Sequence, residues 1–166
     1  LYPSLLAVMA RGVTVILVTG TNGKTTTSRM IEQAFSDAGF RYFSNKSGAN
    51  LLTGIIAVFA QYCSLSGKCR YTHALIECDE AAFRKASEFL PVVNNIFRDQ
   101  LDRYGEITHT LNAIREGITH IPDAVLCLNA DCSLTASLAE KIPNRVVWFG
   151  VNVPIYTHAA HELSDA

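Results

Sequence analysis

Apolar residues along the 166-residue chain fall into two alternating rhythms. Short runs dense in Val, Ile, Leu and aromatic residues occupy 13–19, 41–43, 71–77, 92–96, 124–128 and 145–149. Between them lie longer stretches whose apolar positions recur every three or four residues. The first kind predicts buried strands and the second amphipathic helices. Helices are expected over 24–38, with Met30, Ile31, Ala34, Phe35 and Ala38 on one face and Gly39 as the stop, and over 51–62, 79–89, 107–120 and 133–141. Leu5, Leu6, Val8 and Met9 line one face of a short opening helix.

Strands alternating with helices imply parallel pairing through right-handed crossovers, so the expected fold is α/β with a mostly parallel, doubly wound sheet between two helical layers. In such a sheet the ligand crevice lies beyond the carboxyl ends of the strands. Length allows one substantial core and no second full domain. The expected division is a lead-in helix over 1–12, a central domain over 13–150, and the start of an insertion or linker over 151–166. The chain begins at Leu1 and stops in a polar stretch, so a piece of something longer is expected.

Charge and composition narrow the partners. A formal net charge of -1 with scattered basic residues argues against nucleic acid and anionic membrane surfaces. The apolar opening segment is too short to span a bilayer. Five cysteines (Cys63, Cys69, Cys78, Cys127, Cys132) form no C-x-x-C pair, so they read as reduced thiols rather than a zinc site. His73, inside a strand pattern, reads as a packed core residue.

The chemistry concentrates where strands end. Gly20-Thr21-Asn22-Gly23-Lys24-Thr25-Thr26 follows the first strand and opens a helix. Its glycines let backbone N–H groups turn inward, the helix start adds partial positive charge and Lys24 a full one, which suits a triphosphate. Thr25 is placed to put its hydroxyl on Mg²⁺. The first glycine of the usual G-x-x-x-x-G-K-[ST] pattern would fall at Val18. The polar loop 45–50 reads by itself as a turn with an N-cap, and its context raises Asn50 as a second polar group near the phosphates. Glu77 follows the 71–76 strand, where a carboxylate can hold magnesium, while Asp79 and Glu80 suit the N-cap and first turn of the next helix. Asn94–Gly105 is a third polar strand exit, and Asn129 with Asp131 a fourth, where an amide and a carboxylate could meet the base or ribose.

Together these segments resemble the Mur ligases, ATP-dependent ligases that build peptidoglycan stem peptides or polyglutamate tails. TGTNGKTT is similar to the family's phosphate loop, which lacks the first Walker glycine. Glu77 matches its magnesium glutamate, NNIFRDQLDRYG its T-N-x-x-x-D-H-x-D-x-x-G segment, and LNAD its adenine-side motif. The resemblance implies a P-loop ATPase-type domain binding ATP and Mg²⁺, with Lys24 and Glu77 catalytic. It places Gly20, Thr21, Asn22, Gly23, Lys24, Thr25, Thr26, Asn50, Asn129 and Asp131 on the nucleotide, and Thr25 and Glu77 on the metal. SGANLLTGI and ECDEAAF resemble the amidating branch. That branch activates the D-glutamate carboxylate of the lipid II stem peptide as an acyl phosphate, takes ammonia from a GatD-like glutaminase subunit, works in the cytoplasm, and carries a zinc ribbon that here would lie beyond this chain. Gln100 replaces a histidine that serves a second magnesium in many members, no lysine lies between Lys85 and Lys141 to be carbamylated, and Cys132 replaces the second aspartate of the usual Asp-Asp. An amino-acid-adding ligase of the folylpolyglutamate synthase type and a P-loop ATPase module without ligase activity remain alternatives.

Overall fold

The computed structural model describes residues 3–20, 22–45, 49–90, 92–97 and 107–151. Expectations for Thr21, for 46–48, for the 98–105 segment and for 152–166 lie outside the described residues.

The elements are α1 (Ser4–Met9), β1 (Thr14–Thr19), α2 (Lys24–Asp37), β2 (Tyr42–Ser44), α3 (Leu52–Tyr62) and β3 (His73–Glu77). They continue through α4 (Glu80–Ser87), β4 (Val92–Phe97), α5 (Ile107–Thr119), β5 (Val125–Asn129), α6 (Ser133–Ser137) and β6 (Val146–Phe149). The strands form one six-stranded sheet in the order β2-β3-β1-β4-β5-β6, and every adjacent pair is parallel. The fold is therefore the expected α/β type. All strands run the same way, so their carboxyl ends share one edge, and the chain changes direction across the sheet at β1.

Handedness explains how the two faces differ. From β1 to β2 the chain moves one way across the sheet, and every later crossover moves it back the other way. Right-handed crossovers then put α2 on one face and α3, α4, α5 and α6 on the other. The packing follows. The main core joins α1 and the later helices to the sheet through Leu6, Val15, Leu17, Ile55, Phe59, Phe83, Ile114, Ile118 and Leu126. Among the described residues, the α2 face holds Ile16, Val18 and Leu75, with Ile31 and Phe35 against them.

This thin second layer corrects one expectation. Ile31 and Phe35 do pack, but Met30 is 68% exposed, Ala34 and Ala38 are exposed, and Ser28 is the one buried residue of α2. A single helix resting on β1 and β3 needs a narrow stripe, and the sheet sets which one. His73 is likewise half-buried rather than core. It lies at the rim under α2, ring to ring with Phe35 at 5.2 Å and Phe40 at 4.5 Å. Helix α6 ends at Ser137, four residues short of the expected 141, and Lys141 takes a left-handed φ of 58° in the turn that follows. No described helix is long and apolar enough to cross a membrane.

Helices α4 and α5 meet at Gly117. A Cβ added there would lie 2.5 and 2.7 Å from ring carbons of Phe83 and 3.3 Å from the Arg84 Cα. Phe83 is fully buried and cannot swing away. Alanine in a helix gains about 1 kcal/mol over glycine, whereas overpacking costs about 1–3 kcal/mol. Gly117→Ala is therefore expected to be net destabilising, by about 1 kcal/mol, in urea unfolding; a gain in stability would mean that the α4–α5 contact yields.

Candidate active site

Strand β1 is buried through Val15–Thr19, with Val18 and Thr19 at 0% exposure. Val18 is therefore a buried strand residue, and the turn starts only at Gly20. Gly20 and Gly23 have φ of 127° and 78°, a region that side-chain-bearing residues rarely enter. Gly23 caps α2 without any side-chain acceptor. The first N–H groups of a helix have no partner within the helix, so this end of α2 carries partial positive charge. Lys24 folds its ammonium back to donate to the Gly20 carbonyl, across the mouth of the loop. Asn22, Thr25 and Thr26 are exposed around it.

Strand β3 delivers the acid. Val18 pairs with Glu77, so Glu77 stands beside the turn that leads to α2. The Thr25 hydroxyl donates to Glu77 Oε2 at 3.1 Å across 52 residues of sequence. The expected metal pair is thus brought together. Cys78 is fully buried next to it, and burial pushes its thiol well above the ordinary range. Asp79 caps α4 by accepting from the Ala82 N–H at 2.7 Å, and Glu80 lies in the first turn, as expected.

One positioning residue was missed. Asn45, 5% exposed, accepts from the Glu77 N–H at 2.8 Å. Its amide donates to the Glu77 carbonyl at 2.7 Å and to the Ala49 carbonyl at 2.9 Å. A single side chain thus grips both backbone groups of Glu77 and one of the loop that carries Asn50. The Asp79 N–H donates to the Asn50 carbonyl at 3.2 Å, which holds Asn50 at the same edge. The available signal was the position of Asn45, directly after a strand and before a polar loop.

At the β5 exit the picture is more local. Asn129 Oδ1 accepts from the Asp131 N–H at 3.0 Å, and Asp131 Oδ2 from the Val151 N–H at 2.7 Å. Both expected nucleotide ligands therefore brace the β5 and β6 exits. A cavity of about 380 Å³ opens beside them, lined by Ala130, Asp131, Trp148, Phe149 and Gly150.

The chemistry of the site matches a magnesium nucleotide. A hydroxyl and a carboxylate are hard oxygen donors of the kind magnesium takes, and the helix start beside Lys24 suits phosphate oxygens. Ser28 Oγ and Glu80 Oε1 are buried without a hydrogen-bond partner in the protein.

Known proteins show the family of this fold. The Mur ligase middle domain matches residues 18–165. The chain belongs to the Mur ligase family. It is 35% identical over 90% of its length to the MurT subunit of lipid II isoglutaminyl synthase (glutamine-hydrolyzing) from Streptococcus pneumoniae. The Staphylococcus aureus MurT subunit gives 35% over 92%. The chain spans about a third of those relatives, 33% of each. In structure it is similar to the MurF ligase of Thermotoga maritima in complex with ADP, with a TM-score of 0.69 at 18% identity over 91% of this chain and 37% of that one.

In this Mur ligase domain, removing the Asn45 amide would leave three backbone groups unpaired in a buried position. An unsatisfied buried group costs about 1–3 kcal/mol. Asn45→Ala is expected to lose at least about 2 kcal/mol in urea unfolding, and a loss near zero would mean that water replaces the amide.

Proposed function

We propose that this chain is the nucleotide-handling part of a cytoplasmic ATP-dependent amide ligase of peptidoglycan synthesis, which activates the D-glutamate carboxylate of the lipid II stem peptide for amidation to D-isoglutamine. The observation that carries the reading is the 3.1 Å contact between Thr25 and Glu77 beside the glycine turn, at the shared carboxyl edge of β1 and β3. The MurT subunits of S. pneumoniae and S. aureus belong to a glutamine-hydrolysing synthase, which supports ammonia as the nitrogen source and a GatD-like glutaminase as partner. The ADP held by a ligase of the same fold supports the nucleotide.

A carboxylate is a poor acyl donor, because an incoming amine meets an anion with no leaving group. ATP supplies a phosphoryl group to one carboxylate oxygen; ammonia then forms the C–N bond as the C–O bond to phosphate breaks. The task of the protein is to orient the phosphates and stabilise their charge. Lys24, the loop amides and the start of α2 would hold the β- and γ-phosphates, with Thr21, Asn22 and Thr26 around them. Thr25 and Glu77 would hold Mg²⁺, and Asn45 keeps Glu77 in place through its backbone. Asn50 would reach the phosphates, and Asn129 and Asp131 would border the base or ribose.

A single charge-stabilising group in phosphoryl transfer is worth on the order of 10³ in rate. In the full-length enzyme with its glutaminase, Lys24→Ala is expected to lower stem-peptide amidation by about that factor while leaving circular dichroism unchanged. Near-normal amidation by the variant would sink the reading. Incorporation of an amino acid in place of ammonia would move the protein to the amino-acid-adding ligases, and phosphate release with no amide product to the ATPase modules.

A further inference from the structure

The five cysteines are not equivalent. Cys63 ends α3 and Cys69 leads toward β3, and the two face each other across an antiparallel bridge. The Ser64 N–H donates to the Lys68 carbonyl at 2.8 Å, and the Gly67 N–H to the Ser64 carbonyl at 2.9 Å, which closes a tight hairpin. Gly67 has a φ of 80°, and a Cβ there would lie 2.7 Å from the Val8 carbonyl, so the hairpin is also pressed against α1. The Cys63 N–H is committed to the Phe59 carbonyl, so Cys63 and Cys69 form a non-hydrogen-bonded cross-strand pair. Pairs of that kind hold their Cα atoms about 4.5 Å apart, inside the roughly 4.4–6.8 Å window that disulfides use.

The sulfurs are already closer than van der Waals contact. Cys63 Sγ and Cys69 Sγ lie 2.6 Å apart, and a disulfide bond is about 2.05 Å long. A cavity of about 860 Å³ opens on the pair, with Tyr62, Ser66, Lys68 and Arg70 among its lining. Lys68 and Arg70 suit a small molecule that carries carboxylates. Among the described residues no group of three His, Cys, Asp or Glu could hold a metal ion, so a closed zinc site is not what the pair offers.

We propose that Cys63 and Cys69 are a dithiol modification site that exchanges with anionic low-molecular-weight disulfides and closes into an intrachain disulfide. Cys69 is the partly exposed thiol and Cys63 the buried one. The Cys69 thiolate attacks one sulfur of the small disulfide, forms a mixed disulfide and releases one thiolate. Cys63 then gives up its proton and attacks the Cys69 sulfur, expelling the second. The protein loses two electrons and two protons in total, and the small disulfide is reduced to two thiols. The order follows from the surroundings. Burial first, then the hydrogen bond and charge of Cys69, push the Cys63 thiol up to about 12, so it stays protonated until the mixed disulfide is beside it. The site is independent of the ligase reading, since the hairpin precedes β3 and Glu77 ends it.

The test uses the folded chain, reduced and then equilibrated with mixtures of reduced and oxidised glutathione. Free thiols are counted after denaturation, and cysteine peptides are mapped by mass spectrometry. The expected result is loss of two of the five thiols, with residues 63 and 69 in one cross-linked peptide lighter by two hydrogens and no retained glutathione. Cys63→Ser is expected to trap one glutathionyl group on Cys69. Full retention of all thiols by the folded chain, under conditions that oxidise the denatured chain, would overturn the proposal. So would a stable mixed disulfide on wild-type Cys69, or cross-links involving Cys78, Cys127 or Cys132.

Discussion

The site depends on the register in which β1 and β3 pair, with Val18 opposite Glu77. It places Glu77 beside the glycine turn. A one-residue slip would exchange Leu75 with Ala74 and Ile76 between the two differently packed faces and carry Glu77 away from Thr25. Register in turn is held by burial, since Leu17 and Val18 sit on opposite faces of the sheet and both are at 0% exposure. The 3.1 Å contact between Thr25 and Glu77 is a consequence of core packing several residues below it.

Packing alone leaves the strand ends free to fray, and buried amides counter this. Asn45 binds both backbone groups of Glu77 from the end of β2. Asn144 does a similar service at the other end of the sheet, donating to the carbonyls of Ile121 and Ala124 at 2.7 and 3.0 Å. Each occupies a place where the ladder stops and main-chain groups would otherwise be buried unpaired. At the active edge the side chains that hold one another are also the ones suited to a charged guest. Thr25 meets Glu77 and Lys24 meets Gly20.

The uneven layers follow from topology. One crossover leads away from β1 and the others lead back, so among the described residues α2 covers its face alone while α1 and α3 to α6 share the other. Met30 and Phe40 stay exposed at the edge of this thin layer, and Val147, Trp148 and Phe149 along the outer strand β6. The Cys63–Cys69 hairpin belongs to the thick side, where α1 packs on α3 and presses the turn at Gly67 into place.

Much was legible beforehand, for local reasons. Strand and helix rhythm, the glycine turn, Lys24, the Asp79 cap and Glu77 at a strand end are encoded within a few residues of themselves, because period, φ and capping chemistry are short-range properties. The stripe of α2 was misread because Met30, Ala34 and Ala38 fit a helix face as well as Ile31 and Phe35 do, and the sheet beneath decides which face is covered. His73 was misplaced for the same reason. Asn45 and the Cys63–Cys69 pair could not be ranked above their neighbours, since an amide reaching a backbone 32 residues away and two thiols meeting across a turn depend on where other segments are packed. The sequence by itself determined which chemical groups stand at the strand ends. The tertiary structure decided which of them meet, because register, handedness and burial are set by contacts between segments far apart in the chain.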